Sequence, residues 1–276
     1  MKRASQKPEG QPTRGKTASN RLRRVDNFIL LYEPSLLTRA TSTPLSPGSG
    51  LFAESLFVDL GYGFDPRTTL ESAARFRRVN PNLKILGVEI EKDRVEAALP
   101  FADDKTFFRL GGFNLPLQNG EHVRLIRAFN VLRQYEEKDF IPAYERLAEY
   151  VLPGGLMIEG TSTPFGNLWA ANVVRKAAIG DWSFEALVFS SNFRSGFDVE
   201  EFQTILPKNY IHRVARGEPI YDFFDAWKRS AVETTSAKTF GSKQWFAASV
   251  ESLAQKGFDL DLRKKWLGKG YLIWYR

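Results

Sequence analysis

Val58-Asp59-Leu60-Gly61-Tyr62-Gly63 places a carboxylate two residues before the first of two closely spaced glycines. Glycines at the end of an apolar run let a ligand approach the backbone, and the start of a following helix is electropositive. A second carboxylate, Glu89, stands in Gly87-Val88-Glu89-Ile90, 26 residues beyond Gly63. That is near the roughly 20-residue offset at which an acidic side chain on a neighbouring strand accepts hydrogen bonds from ribose hydroxyls. A surface glutamate at a strand end is the plain alternative. A dinucleotide site would show G-x-G-x-x-G. Here Phe64, Asp65 and Pro66 follow Gly63, and Asp65 would repel a pyrophosphate. The pair therefore points to an adenosine-type ligand that is not a dinucleotide.

Other chemistry is narrowed by what the chain contains. With no cysteine there is no disulfide, thiol nucleophile, iron–sulfur cluster or zinc–thiolate site. The two histidines, His122 and His212, are too far apart in sequence to suggest a histidine metal site, and no metal is expected. Arg109 and Arg127 fall within apolar strands, where a buried guanidinium needs a carboxylate or ligand partner, with Glu159 as one candidate. His212 reads as a packing or surface histidine, and as a general base only if its segment covers the pocket. Trp227, Phe223, Phe224, Trp245 and Phe246 have helical spacing and read first as core, then as a pocket lining.

These groups need a scaffold. Leu56–Gly63, Lys84–Ile90, Thr106–Leu110, Val123–Phe129, Leu156–Gly160, Phe184–Ser190 and Tyr271–Tyr275 read as strands, seven in all. Helical patterns fill three of the four gaps between the first five: the stretch Asp65–Pro81, with Thr68 and Glu71 as a capping box and Asn80-Pro81 as its end, Asp93 to Leu99, and Glu136 to Leu152 stopped by Pro153-Gly154-Gly155, while GGFNLP after the third strand reads as a turn. A further helix is read at Gly166–Ala177, and another from Arg21 to Tyr32 capped by Asn20. Thr41–Gly50 reads as a loop. Strands alternating with helices indicate an α/β fold. The expectation is a Rossmann-like, seven-stranded, mostly parallel sheet with helices on both faces and a helical insertion before the last strand. Its domains would be a basic disordered tail at 1–24, a Rossmann-like domain at 25–190 plus 267–276, and the insertion at 191–266.

The run VDLGYG, GVEIEKDRVEAA, GGFNLPL, FNVL and YVLPGGLMIEG resembles the class I S-adenosylmethionine-dependent methyltransferases over residues 50–190, with the last strand at 271–275. The resemblance implies that Asp59 helps hold the methionine amino group and that Gly61, Tyr62 and Gly63 pack against the methionine moiety. It implies Glu89 as the ribose ligand and Ile90 as an adenine contact. Gly112 and Phe113 fall where a third turn meets adenine, and Asn130 where the pocket opens toward substrate. Two positions depart from the family: Asp65 replaces a third glycine, and Gly112 an acidic residue, leaving Asn114 or a carbonyl to meet the adenine amino group. RGKTASNRLRRVD, IRAFNVLRQY, IEGTSTPFG and IHRVARGEP also resemble an actinobacterial methyltransferase-like group, which implies no substrate.

Charge suggests partners. Residues 1–24 carry eight basic residues against Glu9, so the whole excess of +7 sits there and the remainder is neutral. Such a tail can hold RNA with salt-sensitive affinity, or can simply solubilise. No apolar run reaches the roughly 18 residues of a membrane span, and no apolar region follows the basic start. A cytoplasmic enzyme without a membrane partner is expected. The alternatives to an RNA acceptor are a small-molecule acceptor and a Rossmann-like protein that binds a nucleoside without catalysis.

Overall fold

The computed structural model describes residues 7–13, 18–40, 50–178 and 181–276. The loop expected at Thr41–Gly50 lies outside these, apart from Gly50.

Three strands have every residue buried: β1 (Leu56–Leu60), β2 (Ile85–Glu89) and β4 (Val123–Phe129). Burial on both sides is what their continuous apolar runs require, and parallel pairing with helices on each face supplies it. β3 (Thr106–Leu110) lies beyond β2 at the edge. Among the described residues the sheet has eight strands, not the seven expected, in the order β3-β2-β1-β4-β5-β6-β7-β8. The first four pairings are parallel and the last three antiparallel.

The eighth strand comes from a helix expectation that fails. Gly166–Ala177 does not form a helix. Leu168–Ala178 is β6, a strand hydrogen-bonded between β5 (Val151–Ser162) and β7 (Asp181–Ser191). Trp169, Ala171 and Val173 enter one core, while Ala170 and Val174 enter clusters on the other side. A strand buried on both faces has no polar alternation, so its sequence cannot be told from a buried helix by period alone. Gly160 of β5 admits the close approach: a Cβ there would collide with the Ala170 carbonyl and sit 2.6 Å from the Ala171 Cβ. β8 (Tyr271–Tyr275) completes the sheet beside β7.

Helices cover both faces. α1 (Arg23–Tyr32) and α2 (Arg67–Phe76) share one core with β1, β4, β5 and β6, where Phe28 meets Trp169 and Tyr271. α3 (Lys92–Ala98) packs beside β3 through Ala98 and Phe108. α4 (Phe140–Ala148) lies on the opposite face. Two cap expectations are corrected. Thr68 lies inside α2 rather than at its N-cap, and the Glu71 carboxylate accepts from the Asn20 amide. Asn20 itself precedes α1 with φ near +60°, and Leu22 holds the N-cap position.

Residues 191–266 contribute α5 (Val199–Gln203), α6 (Lys208–Ile211), α7 (Pro219–Glu233), α8 (Ser242–Ala254) and the start of α9 (Lys264–Leu267). Phe223, Phe224, Trp227 and Phe246 are core, with Trp245 packed against them, while Phe240 is exposed; Phe223 stacks on Trp274 at 4.2 Å and on Phe189 at 5.4 Å. Among the described residues no helix is long and apolar enough to cross a membrane.

Candidate cofactor site

Connections run outward from β1 in one direction through β2 and β3, and in the other through β4 and β5. Where strand order reverses, between β1 and β4, two adjacent turns leave the sheet in opposite directions and open a crevice at the carboxyl ends. Two small cavities lie there, of about 30 and 20 Å³. All nine residues expected at the cofactor line one or the other. Asp59, Gly61, Tyr62, Gly63 and Asn130 border the first, and Gly61, Glu89, Ile90, Gly112 and Phe113 the second.

The turn after β1 is built by glycines with φ of +69° at Gly61 and +89° at Gly63, a region most L residues avoid. A Cβ on Gly61 would lie 2.7 Å from Val131. Glu89, 1% exposed, faces this turn. Its Oε2 accepts from the Gly63 amide at 2.8 Å and its Oε1 from the Ile90 amide at 2.9 Å. Arg94 Nη1 stands 3.5 Å from Oε1. The carboxylate and the glycine turn, distant in sequence, are thus locked edge to edge.

The other side chains at this end, and the two strand arginines, are engaged by partners within the protein. Asp59 is engaged from the core side: its Oδ2 accepts from the Thr69 hydroxyl at 2.7 Å, and its Oδ1 from Arg127 Nε at 3.1 Å. Arg127 also donates to Asp26 and, at 2.6 Å, to Ser72 Oγ, with no exposed surface. Its partners are therefore Asp26 and Asp59 rather than Glu159, and two carboxylates keep its pKa raised against the opposing effect of burial. Arg109 pairs with Glu121. Tyr62 turns its ring edge-on to Phe108, and burial pushes its hydroxyl above the usual range. Asn130, with φ near +61°, clasps β4 to β5. Its amide donates to the Gly160 carbonyl at 2.8 Å, and its side chain bonds both the amide and the hydroxyl of Ser162.

Glu159 sits on the α4 face, fully buried, accepting from Tyr144 Oη at 2.8 Å and from Asn172. Burial pushes its carboxyl up to about 7. His212 is exposed beside Lys208 and lines neither cavity.

Sequence reasoning missed Thr13, Arg21, Leu22, Val131 and Tyr135, which also line the cavities. Val131 follows Asn130 directly and Tyr135 lies one short 3-10 turn beyond it, so both were within reach of a strand-end argument. Thr13, Arg21 and Leu22 carry no local signal, because they arrive from the chain start. Arg21 Nε donates to Ser162 Oγ, and Arg24 Nε to Ser190 Oγ, each at 3.0 Å. Residues 7–13 and 18–24, expected within a disordered tail, therefore lie against the carboxyl end of the sheet.

A wider groove of about 590 Å³ opens at the same end, beside β7 and β8. Arg24, Lys243 and Lys269 line it, with Asn27 and Asn192, and among the described residues no carboxylate does.

No protein-family model matches the chain, and no curated protein matches it. Solved structures resemble it in part. The LepI complex with SAM is 14% identical over 47% of this chain and 30% of that one, at a TM-score of 0.34. The magnesium protoporphyrin IX methyltransferase (ChlM) from Synechocystis PCC 6803, with bound SAH, is 16% identical over 51% and 54%, at 0.35. The CcbJ methyltransferase from Streptomyces caelestis is 12% identical over 61% and 71%, at 0.35. The chain thus spans about a third to a half of the first two. Likeness of this degree carries no functional argument, and the cleft stands on its own geometry.

Proposed function

We propose that the chain is an S-adenosylmethionine-dependent methyltransferase acting on an anionic acceptor, with RNA as the leading class. The observation that carries the cofactor reading is Glu89 at the end of β2, buried and bonded to the Gly63 amide of the turn after β1. A carboxylate held there, with Gly112 and Phe113 closing the third side, fits a ribose and an adenine ring once the cleft is open. Held beside Glu89 and the Gly61–Gly63 turn, the bound sulfonium would supply an in-line displacement, its methyl carbon passing to an acceptor lone pair while the electron pair of the carbon–sulfur bond would stay on sulfur. Positioning provides most of the acceleration, so the cleft needs an acid–base residue only where the acceptor atom must lose a proton.

The groove lined by Arg24, Lys243 and Lys269 supports an anionic acceptor, since three cations with no carboxylate among the described lining residues favour phosphate or carboxylate groups. Calorimetric titration with S-adenosylmethionine and its demethylated product, S-adenosylhomocysteine, tests the cofactor reading, with NAD as the control. Binding of the first two alone supports it. Binding of NAD alone, or no binding to either the full chain or one lacking residues 1–13, ends it.

A further inference from the structure

The crevice framed by Gly61, Glu89 and Gly112 is filled by the chain's own start. Residues 7–13 cross it, held mainly through their backbone. The Lys7 carbonyl accepts from Asn114 Nδ2 at 2.9 Å, and the Glu9 amide donates to Asn114 Oδ1 at 2.7 Å. The Glu9 carbonyl accepts from the Phe113 amide at 2.8 Å. The Gln11 amide donates to Tyr135 Oη, and the Gln11 carbonyl accepts from Gln134 Nε2 at 3.0 Å. The Thr13 carbonyl accepts from Arg94 Nη1 at 3.1 Å.

The fit depends on positions that a nucleoside would also need. A Cβ on Gly112 would collide with the Glu9 carbonyl. One on Gly61 would sit 3.1 Å from the Thr13 methyl. Gly10, at φ +138°, lies against Ile90 and Tyr135, where a Cβ would come within 2.7 Å of the Tyr135 hydroxyl. Thr13 lines both cavities, as Leu60 and Gly61 of the sheet end do, so the strap meets the β1 turn where the two adjoin. The 20 Å³ left beside Glu89 has room for about one water, whereas a ligand of this size needs on the order of 300 Å³ or more. Pro8 and Pro12 flank the crossing, and each restricts the residue before it to extended backbone.

We infer that residues 7–13 are an intrasteric strap that occupies the adenosine half of the crevice and must leave before the cofactor binds. This rests on the cofactor reading of that crevice. The strap lowers apparent cofactor affinity by the fraction of molecules in which it is undocked. Hydrogen bonds to backbone from Asn114, Gln134 and Arg94 make it a docked peptide rather than a tail lying loosely on the surface.

The test is calorimetric titration of S-adenosylhomocysteine into three proteins: the full chain, a chain lacking residues 1–13, and Gly10→Val. The valine adds a Cβ where φ is +138° and Tyr135 Oη is close, so it undocks the strap without touching the sheet. Both variants are expected to bind about tenfold tighter or more, the scale of a strap that is docked most of the time. In the full chain, the ligand should also speed exchange of the Gln11 amide hydrogen, which loses Tyr135 when the strap leaves. Equal affinity in all three proteins overturns the strap and leaves the cofactor reading standing. Weaker binding by both variants also overturns it, because residues 7–13 would then belong to the occupied site. No binding by any of the three overturns both readings.

Discussion

Single side chains around the crevice divide into those that hold the scaffold and those free to meet a ligand. Arg127 belongs to the first group. It neutralises Asp59 and shares Asp26 with Arg75, both carboxylates being at most 2% exposed, so Arg127→Met leaves Asp59 buried without a cation and Asp26 with Arg75 alone. The expected loss is roughly 3–5 kcal/mol, read from the midpoint of urea unfolding. Glu89→Gln is a different case. It keeps the shape but removes the charge facing the ribose side, and should weaken S-adenosylhomocysteine binding by about 1.5–3 kcal/mol in calorimetry. An unchanged dissociation constant in a folded variant would remove Glu89 from the site. Glu159 makes a pH prediction. Its carboxyl is raised by burial to about 7, above the unfolded value, so the native state binds the extra proton. Its contribution is full below the unfolded pKa and is lost as pH rises toward and through 7, by about 3 kcal/mol in all. Melting temperatures across pH 5 to 8 should fall in the parent protein and fall less in Glu159→Gln. Parallel curves would mean that Glu159 stays charged throughout.

At the scale of elements, what the sequence shows depends on how local the cause is. β1, β2 and β4 are legible because burial on both faces leaves short apolar runs, and because glycines, Glu89 and Asn130 mark their respective carboxyl ends. The nine site residues stand at those ends and in the turn after β3, which is why they gather in one crevice even where side chains such as Asp59 and Tyr62 turn elsewhere. β6 is not legible. Its Trp169-Ala170-Ala171 run suits a helix by propensity, and only pairing with β5 and β7 decides the matter. The strap is less legible still, since its partners, Asn114 and Tyr135, lie more than 100 residues away. The β5–β6 pairing can be tested at Gly160. Gly160→Val would drive a side chain into Ala170 and Ala171, and overpacking of this kind costs about 1–3 kcal/mol. A loss of that size in chemical denaturation fits antiparallel pairing at this position. A neutral variant would mean that Gly160 faces open space and that residues 168–178 pack elsewhere.

For the molecule as a whole, the question is how its uneven charge meets an acceptor. The +7 excess resides in residues 1–24, but Arg21 and Arg24 are committed to Ser162 and Ser190 at the sheet end. At most six cations of that segment then remain to neutralise phosphates, and Lys243 and Lys269 of the groove could add two more. Each phosphate neutralised on a single strand contributes about −0.7 to the slope of log affinity against log salt. Tail binding alone therefore caps the slope near −4, and groove and tail together near −6. Deleting residues 1–6 removes Lys2 and Arg3 while leaving Lys7–Thr13 in place, so it should flatten the slope by about 1.4 without altering the strap. Lys243→Ala combined with Lys269→Ala should flatten it by a similar amount if RNA lies along β7 and β8. Fluorescence anisotropy of a labelled single-stranded RNA, read across a salt series, gives all three slopes. A slope unaffected by the deletion would take the chain start out of the RNA contact. A slope unaffected by the lysine pair would leave the groove to a small anionic acceptor, for which its volume of about 590 Å³ is already sufficient.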